Sequence, residues 1–388
     1  MQFSEIIGQE HIKSHLITSA KNGRIPHAQL FVGASGSGVL PMAIAYSNYI
    51  LCNGFGNNTA ENEDSCSIKV KKLMHPDLHF VYPVANNADV KSHAVSSHFS
   101  ESWRKFVFEK PYGSLFEWYQ KIGIENKQGK IGVDEAADIV KKLSLKAYEG
   151  GYKIMIIWMA EKMNNDCSNK ILKLVEEPPE KTLLLLIAEN EEQLITTIRS
   201  RCQALHFPGL SEENIAESLI KNEGVLDHEA LQIAHRASGD YNKAMHLLKN
   251  DGEDAFFEKW FIVWVRSAFL AKGNKKAIQD LLAWSDEIAK TGRETQKKFL
   301  LFCIEFFRNT LLINYNTQNL AYYKPVDPNF SLKKFAPFVH ENNILEIIDL
   351  VEEAIYHVER NGNGKIIFSD LAIKLSRLIH KKTTKTTL

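Results

Sequence analysis

A glycine-rich turn between two apolar segments is the feature that most restricts how this chain can fold. Gly33, Gly36 and Gly38 follow a short strand-like run, Gln29–Val32, and precede a helical segment over 42–51. Strand, glycine turn and helix in this order form the setting of a phosphate-binding loop, whose backbone N–H groups face the phosphates. The turn therefore predicts an α/β domain that could carry a nucleotide.

The turn lacks the side chains that such a loop needs. A working loop reads GxxxxGK(S/T), where the lysine reaches the β- and γ-phosphates and the hydroxyl holds Mg²⁺. Val39 and Leu40 occupy those two positions. The acidic pair that ends a later strand in active sites is also missing, because Trp158 and Met159 stand there. The sequence predicts a degenerate nucleotide site, and the alternative is an ordinary glycine-rich turn.

Strand-like and helix-like segments alternate only in the first half of the chain. The runs Lys153–Met159 and Leu183–Ala188 are almost wholly apolar, which is typical of strands buried on both faces of a parallel sheet. After about Leu205 only helical segments follow. We therefore expect an α/β domain over 1–205, a small helical domain over 206–252, an all-α domain over 253–382, and a disordered tail over 383–388.

Residues 85–130 do not fit the alternation and predict an ordered insertion. One interpretation is that its aromatic side chains pack on the flank of their own domain. The other is that they form a docking surface for a partner, since exposed aromatics mark interfaces. The aromatic residues are Phe99, Trp103, Phe106, Phe108, Tyr112, Phe116, Trp118 and Tyr119.

Composition excludes several classes of protein. The 47 Lys and Arg residues balance 47 Asp and Glu residues, so the chain is not histone-like, although a local basic patch remains possible. No apolar run approaches the roughly 18 residues that span a bilayer, and the first residues lack the apolar core of a signal peptide. The 5 scattered cysteines predict reduced thiols in a cytoplasmic protein without a membrane anchor.

Motifs along nearly the whole chain, except roughly 85–130, make it resemble the delta-prime subunits of the bacterial DNA polymerase III clamp loader, of the AAA+ superfamily. The resemblance implies an α/β AAA+ domain, a helical lid over 206–252 and a helical collar for oligomerisation over 253–382. The motifs are Ile6–Glu10, His27–Gly33, His75–Leu78, Ile131–Glu135, Tyr152–Ile154, Met163–Asn164, Asn169–Pro179, Thr197–Cys202 and Asn361–Ile366.

The resemblance also implies a role for the triplet Ser200, Arg201 and Cys202. In the family this triplet carries an arginine finger that reaches the nucleotide of the neighbouring subunit, so the role transfers to Arg201, with Ser200 and Cys202 as motif neighbours. A guanidinium in trans stabilises charge on a transferring phosphoryl group. The alternative is a surface arginine in an ion pair. Asn242 falls about where active AAA+ lids carry a second arginine, which is a further departure from a hydrolysing subunit.

Many relatives hold a structural zinc with four cysteines in the region after the phosphate loop. This chain keeps only Cys52 and Cys66 there, and a structural zinc site needs four ligands. His75 and His79 could complete a set, but we expect no metal and two free, buried thiols.

The remaining expectations concern ligands and partners. Lys141, Lys142 and Lys146 are candidate DNA contacts through phosphates, with a solvated helix face as the alternative. No cofactor is expected in this chain, since the resemblance implies that partner subunits bind ATP and Mg²⁺. The implied partners are the gamma/tau motor subunits, the delta subunit, the sliding clamp and primer–template DNA. The rivals are an active AAA+ ATPase with an altered phosphate loop and an interaction module outside replication.

Overall fold

A computed structural model describes residues 1–53, 63–149, 151–249, 253–315, 327 and 330–381. The chain divides into two compact units. The first comprises Met1–Ile124 with Gln128–Leu248, and the second comprises Glu125–Lys127 with Lys249–Leu388.

The first unit is built on a parallel five-stranded sheet in the order β2-β3-β4-β1-β5. Every residue of β3 and β4 is buried, because helices cover both faces of the sheet, as their unbroken apolar sequences predicted. The doubly wound α/β architecture is confirmed. The strands are β1 Ala28–Gly33, β2 Leu78–Val81, β3 Lys153–Trp158, β4 Thr182–Ala188 and β5 Gln203–Phe207.

Helices surround the sheet on both sides and continue beyond it. α2 follows the glycine turn directly and is buried along nearly its whole length. The helices of the first unit are α1 Glu10–Lys21, α2 Val39–Cys52, α3 Glu63–Lys71, α4 Ser100–Glu109, α5 Leu115–Lys121, α6 Val133–Ser144, α7 Asn165–Glu176, α8 Thr196–Arg199, α9 Glu212–Glu223, α10 Asp227–Ala237 and α11 Tyr241–Lys249.

The insertion is ordered and contributes α4 and α5. Trp103, Phe106 and Trp118 are almost completely buried, and the Trp103 ring stacks on Tyr82 with centroids 4.1 Å apart. This burial favours the packing interpretation over a docking surface for these rings. Phe108 differs, because 57% of it is exposed.

Helices α9 to α11 cover the range predicted as a lid. They have a small apolar core of their own, which includes Ile215, Leu219 and Ala234, yet they belong to the first unit. A separate domain over 206–252 stays a prediction, as do the other predicted domain boundaries.

The described part of the second unit is helical and aromatic-rich. Trp264, Trp284 and Phe299 are buried among its helices. The predicted tail, 383–388, lies outside the described residues. Within the described ranges, no helix has the length and apolar character needed to cross a bilayer. The helices are α12 Glu253–Leu270, α13 Lys275–Ala289, α14 Arg293–Asn314, α15 Leu332–Phe335, α16 Ile344–Glu359 and α17 Gly364–Leu378.

The prediction that Cys52 and Cys66 are free thiols is wrong. The two residues form a disulfide between the end of α2 and α3, with their Cα atoms 5.6 Å apart. Packing of α3 beside α2 brings the two side chains together. The local sequence around each cysteine does not indicate this packing, so it does not predict the disulfide. Cys167, Cys202 and Cys303 are free.

Candidate functional site

The glycine turn has two glycines with positive φ angles and is followed by two buried apolar residues. Gly36 and Gly38 have φ angles of +70° and +92°, which glycine adopts readily. Val39 and Leu40 begin α2 and are only 6% and 5% exposed. They therefore add apolar contacts to the core where a lysine and a hydroxyl would face a nucleotide.

An aromatic side chain fills the place of the second nucleotide element. Trp158 ends β3 and is buried. Its ring centroid lies 5.1 Å from Trp103 and 5.9 Å from Phe106, both on α4 of the insertion. A position that would hold a metal-binding carboxylate in an active site is instead part of the insertion's aromatic cluster.

Little space remains between the loop and its surroundings. The cleft is lined by the glycine turn, the start of α2, residues 111–113 of the insertion, the end of β3 and Glu189, and it encloses about 30 Å³. That volume is close to one water's share of liquid water. Pockets that hold small molecules measure roughly 300–1,000 Å³, so the cleft in this conformation is much smaller than a typical ligand pocket.

An acidic side chain lies against the loop. A methyl group added at Gly36 would meet the Asp240 carboxylate at 1.7 Å, and the Tyr241 N–H donates to the Gly36 carbonyl oxygen at 3.1 Å. Burial raises the pKa of Asp240 to about 6. At neutral pH this carboxylate adds repulsion against phosphate.

Arg201 lies in the short connection between α8 and β5. Its Nε is 2.6 Å from Glu176 Oε1 at the end of α7, and its Nη1 donates to the Thr197 carbonyl oxygen at 3.0 Å. The side chain is 40% exposed. The ion-pair alternative is thus realised in the isolated chain, while the guanidinium stays accessible.

The motif neighbours of Arg201 have structural surroundings. Ser200 Oγ donates to the Thr197 carbonyl oxygen at 3.3 Å. Burial raises the pKa of Cys202 to about 12, so its thiol stays protonated at neutral pH. Arg199 pairs with Glu192 at 2.6 Å.

The parallel direction of β1 and β5 separates Arg201 from the chain's own phosphate loop. β5 runs parallel to β1, with Gln203 opposite Gln29 and Phe207 opposite Gly33. Arg201 precedes β5, whereas the loop follows β1, so the two lie at opposite edges of the sheet. The five residues of β5 span about 16 Å at roughly 3.3 Å each, which exceeds the reach of an arginine side chain.

Sequence reasoning missed Glu117, the most highly connected acid near the cleft. Its side chain is 3% exposed and accepts hydrogen bonds from Asn242 Nδ2 at 2.7 Å and Lys110 Nζ at 2.5 Å. His246 Nε2 lies 3.0 Å away. Burial would raise the pKa of Glu117, but the hydrogen bonds from His246, Lys110 and the Ser114 backbone outweigh it and hold the pKa well below its usual range. Asn242 thus binds the insertion.

The four candidate zinc ligands do not form one cluster. Cys66 and His75 have potential ligand atoms within 4.8 Å of Glu149, but Cys66 is in the disulfide. His75 accepts from the Asp77 N–H through Nδ1 at 3.1 Å, and its Nε2 contacts Glu149 at 3.1 Å. His79 lies on β2, outside this cluster.

The candidate DNA-binding lysines lie on α6 or just after it. Lys142 pairs with Asp138 one turn away at 2.6 Å. Lys141 and Lys146 are exposed. The geometry permits phosphate contacts, and the assignment stays a prediction.

Comparison with known proteins identifies the family. Residues 8–211, just over half of the chain, match the family described as DNA polymerase III, delta subunit. The chain belongs to this family. The resemblance to delta-prime subunits is also confirmed by individual relatives.

Three relatives show how far the likeness extends. The DNA polymerase III subunit delta' of Bacillus subtilis is 27% identical over 243 residues, covering 63% of this chain and 60% of the relative. The Escherichia coli subunit delta' is 26% identical over 242 residues, covering 62% and 60%. The Bacillus subtilis subunit tau is 22% identical over 398 residues, covering 98% and 62%. The chain therefore spans about three fifths of the length of these relatives.

Proposed function

We propose that the chain is a non-hydrolysing subunit of a bacterial clamp loader within the DNA polymerase III holoenzyme. In this role it supports ATP-dependent loading of the sliding clamp on primed DNA during replication. It contributes Arg201 to an ATP site of a neighbouring subunit. The separation of an exposed Arg201 from the chain's own disabled phosphate loop is the observation that carries this proposal.

The state of the chain's own loop supports the absence of hydrolysis. Val39 and Leu40 supply neither the charge nor the metal ligand of an active loop, and Trp158 replaces a carboxylate. The small cleft, of about 30 Å³, supports the same conclusion. These features argue against an active ATPase with an altered loop, which would need at least the lysine or an equivalent cation.

The chemistry of hydrolysis explains what an arginine in trans would do. Water attacks the γ-phosphorus and releases a proton to solvent, the bond to the β–γ bridging oxygen breaks, and ADP leaves with the negative charge that this oxygen gains. A guanidinium stabilises that charge without losing its own proton. Arg201 would act on an ATP whose phosphates and Mg²⁺ are held by the neighbour, and this chain would need no cofactor.

Releasing Arg201 from Glu176 would cost little. Both side chains are about 40% exposed, and such surface ion pairs contribute about 0–1 kcal/mol. An arginine finger that accelerates hydrolysis by ~10³-fold lowers the barrier by about 4 kcal/mol. The stabilisation of the transition state therefore exceeds the cost of releasing the ion pair, so Glu176 does not prevent Arg201 from acting during hydrolysis.

The proposed partners follow from the same role. The motor subunits gamma/tau and the delta subunit would complete the ring, and the sliding clamp and primer–template DNA would be its substrates. Lys141, Lys142 and Lys146 would contact DNA phosphates. No membrane partner is proposed.

Reconstitution with the motor and delta subunits tests the proposal. Arg201→Ala should assemble like wild type, while DNA- and clamp-stimulated ATP turnover and clamp loading fall. The effect at the affected site should approach 10³-fold, and the bulk loss should be smaller because other sites keep their own arginines. Arg201→Lys should recover little activity, since a single ammonium cannot form the bidentate contact.

Arg199→Ala is the matched control, because Arg199 lies two positions before Arg201 and is also paired to a surface glutamate, Glu192. It should leave turnover near wild type. Normal turnover and clamp loading with Arg201→Ala would refute the role in trans. Unfolding of that variant would show that Arg201 serves the fold of its own chain.

A further inference from the structure

We propose that residues 110–117 of the insertion, termed the plug, are a built-in occupant of the nucleotide cleft. The plug fills the space in front of the glycine turn and fastens helix α11 to it. The chain would then be closed against nucleotide by its shape as well as by its missing lysine. This proposal goes beyond the proposed function and does not depend on the role of Arg201.

Tyr112 is the part of the plug that contacts the loop. A methyl group added at Gly38 would lie 3.1 Å from Tyr112 Cε1, so the ring covers the start of α2. The Tyr112 hydroxyl accepts a hydrogen bond from the Ile7 N–H at 2.9 Å. Its ring also packs edge-on against Tyr241 of α11, with centroids 5.0 Å apart. The ring is thus held from two sides over the position that a phosphate would approach.

Glu117 fastens the other end of the plug to α11. Asn242 and His246 of α11 contact its two carboxylate oxygens at 2.7 and 3.0 Å. The Ser114 N–H donates to the same carboxylate at 2.8 Å, and Lys110 adds a positive charge. Every one of these groups faces Glu117 from the plug or from α11, so removal of the carboxylate would break these polar contacts between the two and leave the Tyr112–Tyr241 ring contact.

The glycine turn closes the arrangement. The Tyr241 N–H donates to the Gly36 carbonyl oxygen, and Asp240 lies against Gly36. Turn, plug and α11 therefore contact one another pairwise. A ligand can shift a conformational equilibrium only by binding one state better than another. When the chain itself fills the cleft, a nucleotide cannot bind one state better than another. We therefore expect α11 to keep one position whether or not nucleotide is present.

A two-by-two set of variants in the isolated chain separates chemistry from shape. Val39→Lys with Leu40→Thr restores the loop residues, and Tyr112→Ala with Glu117→Gln opens the plug. Calorimetric titration with Mg·ATP measures binding for wild type, each pair and the combination. We expect no binding below ~1 mM from the restored loop alone, and at least tenfold tighter binding from the combination. Micromolar binding by the restored loop with an intact plug would overturn the proposal, as would a folded combination that binds no better than the restored loop.

Hydrogen exchange provides a measurement that needs no restored loop. Amide protons of α11 and of Ile7 should exchange at least tenfold faster in Tyr112→Ala with Glu117→Gln than in wild type. The matched control is Tyr148→Ala with Glu101→Gln, which removes an exposed tyrosine and an exposed insertion glutamate. Unchanged exchange in the plug variant, or equal acceleration in the control, would show that residues 110–117 do not hold α11.

Discussion

Truncation of Trp118 should destabilise the first unit strongly, because its side chain is fully buried in the insertion. The ring is 0% exposed and contacts Tyr82, Trp103 and Phe106 with centroids 4.9–5.6 Å apart. Replacement of a buried tryptophan by alanine lowers the free energy of unfolding by about 3–5 kcal/mol. Trp103→Ala should cost a similar amount, since Trp103 is 2% exposed.

Phenylalanine substitutions separate packing from hydrogen bonding at these two sites. Trp118 Nε1 donates to the Pro83 carbonyl oxygen at 2.8 Å, whereas Trp103 Nε1 has no acceptor among the described residues. Trp118→Phe leaves the Pro83 oxygen buried without its donor, which costs about 1–3 kcal/mol. Trp103→Phe loses no such bond, so it should be the milder change by about 1–2 kcal/mol.

Urea unfolding followed by pulsed proteolysis and mass spectrometry can assign each transition to a unit. This assignment matters because two units need not unfold together. The second unit, which holds Trp260, Trp264 and Trp284, should unfold as in wild type. An unchanged first transition in both alanine variants would refute the packing argument, and a milder Trp118→Phe than Trp103→Phe would refute the hydrogen-bond argument.

Three further predictions concern the cysteines, zinc and the buried carboxylate of Glu117. Thiol titration of the unfolded chain should give three free thiols, and five after reduction, because Cys52 and Cys66 are joined. Elemental analysis should give well under one zinc per chain, and a stoichiometric value that Cys66→Ser abolishes would contradict this. Because the folded pKa of Glu117 is depressed, its contribution to the free energy of unfolding is complete above its unfolded pKa of about 4.3 and is lost as pH falls further. Glu117→Gln should flatten the acid limb of the unfolding profile, and an unchanged limb would rule out this source of stability.

The strands that sequence predicted well are those whose burial leaves an unbroken apolar signal. β3 and β4 are buried at every position, so their sequences contain almost no polar residues. β5 was missed because only Phe207 of its five residues is buried. An edge strand with an exposed, mixed sequence carries little of the pattern that identifies a strand.

The connections around the cleft could not be predicted in the same way. Ser114 and Glu117 form a capping box at the start of α5, and this local signal would suggest an exposed glutamate. Glu117 is instead buried and bound to Asn242, which lies 125 positions later in the chain. The disulfide was missed for a related reason, because the proximity of Cys52 and Cys66 depends on the packing of α3 against α2.

The carboxyl and amino ends of the parallel strands form two edges of the sheet, and these edges differ in the groups they offer to a phosphate. The carboxyl edge holds the glycine turn, Trp158 and the plug, and Val39 and Leu40 stand there at the positions of the lysine and hydroxyl of a working phosphate loop. The amino edge holds Arg201, whose guanidinium is exposed and whose ion pair with Glu176 is weak enough to exchange. A ligand that cannot distinguish two states of a protein cannot move it between them. Under the proposed function, the dependence of this chain on ATP therefore enters through Arg201 and a neighbour's nucleotide, and we expect the isolated chain to show none.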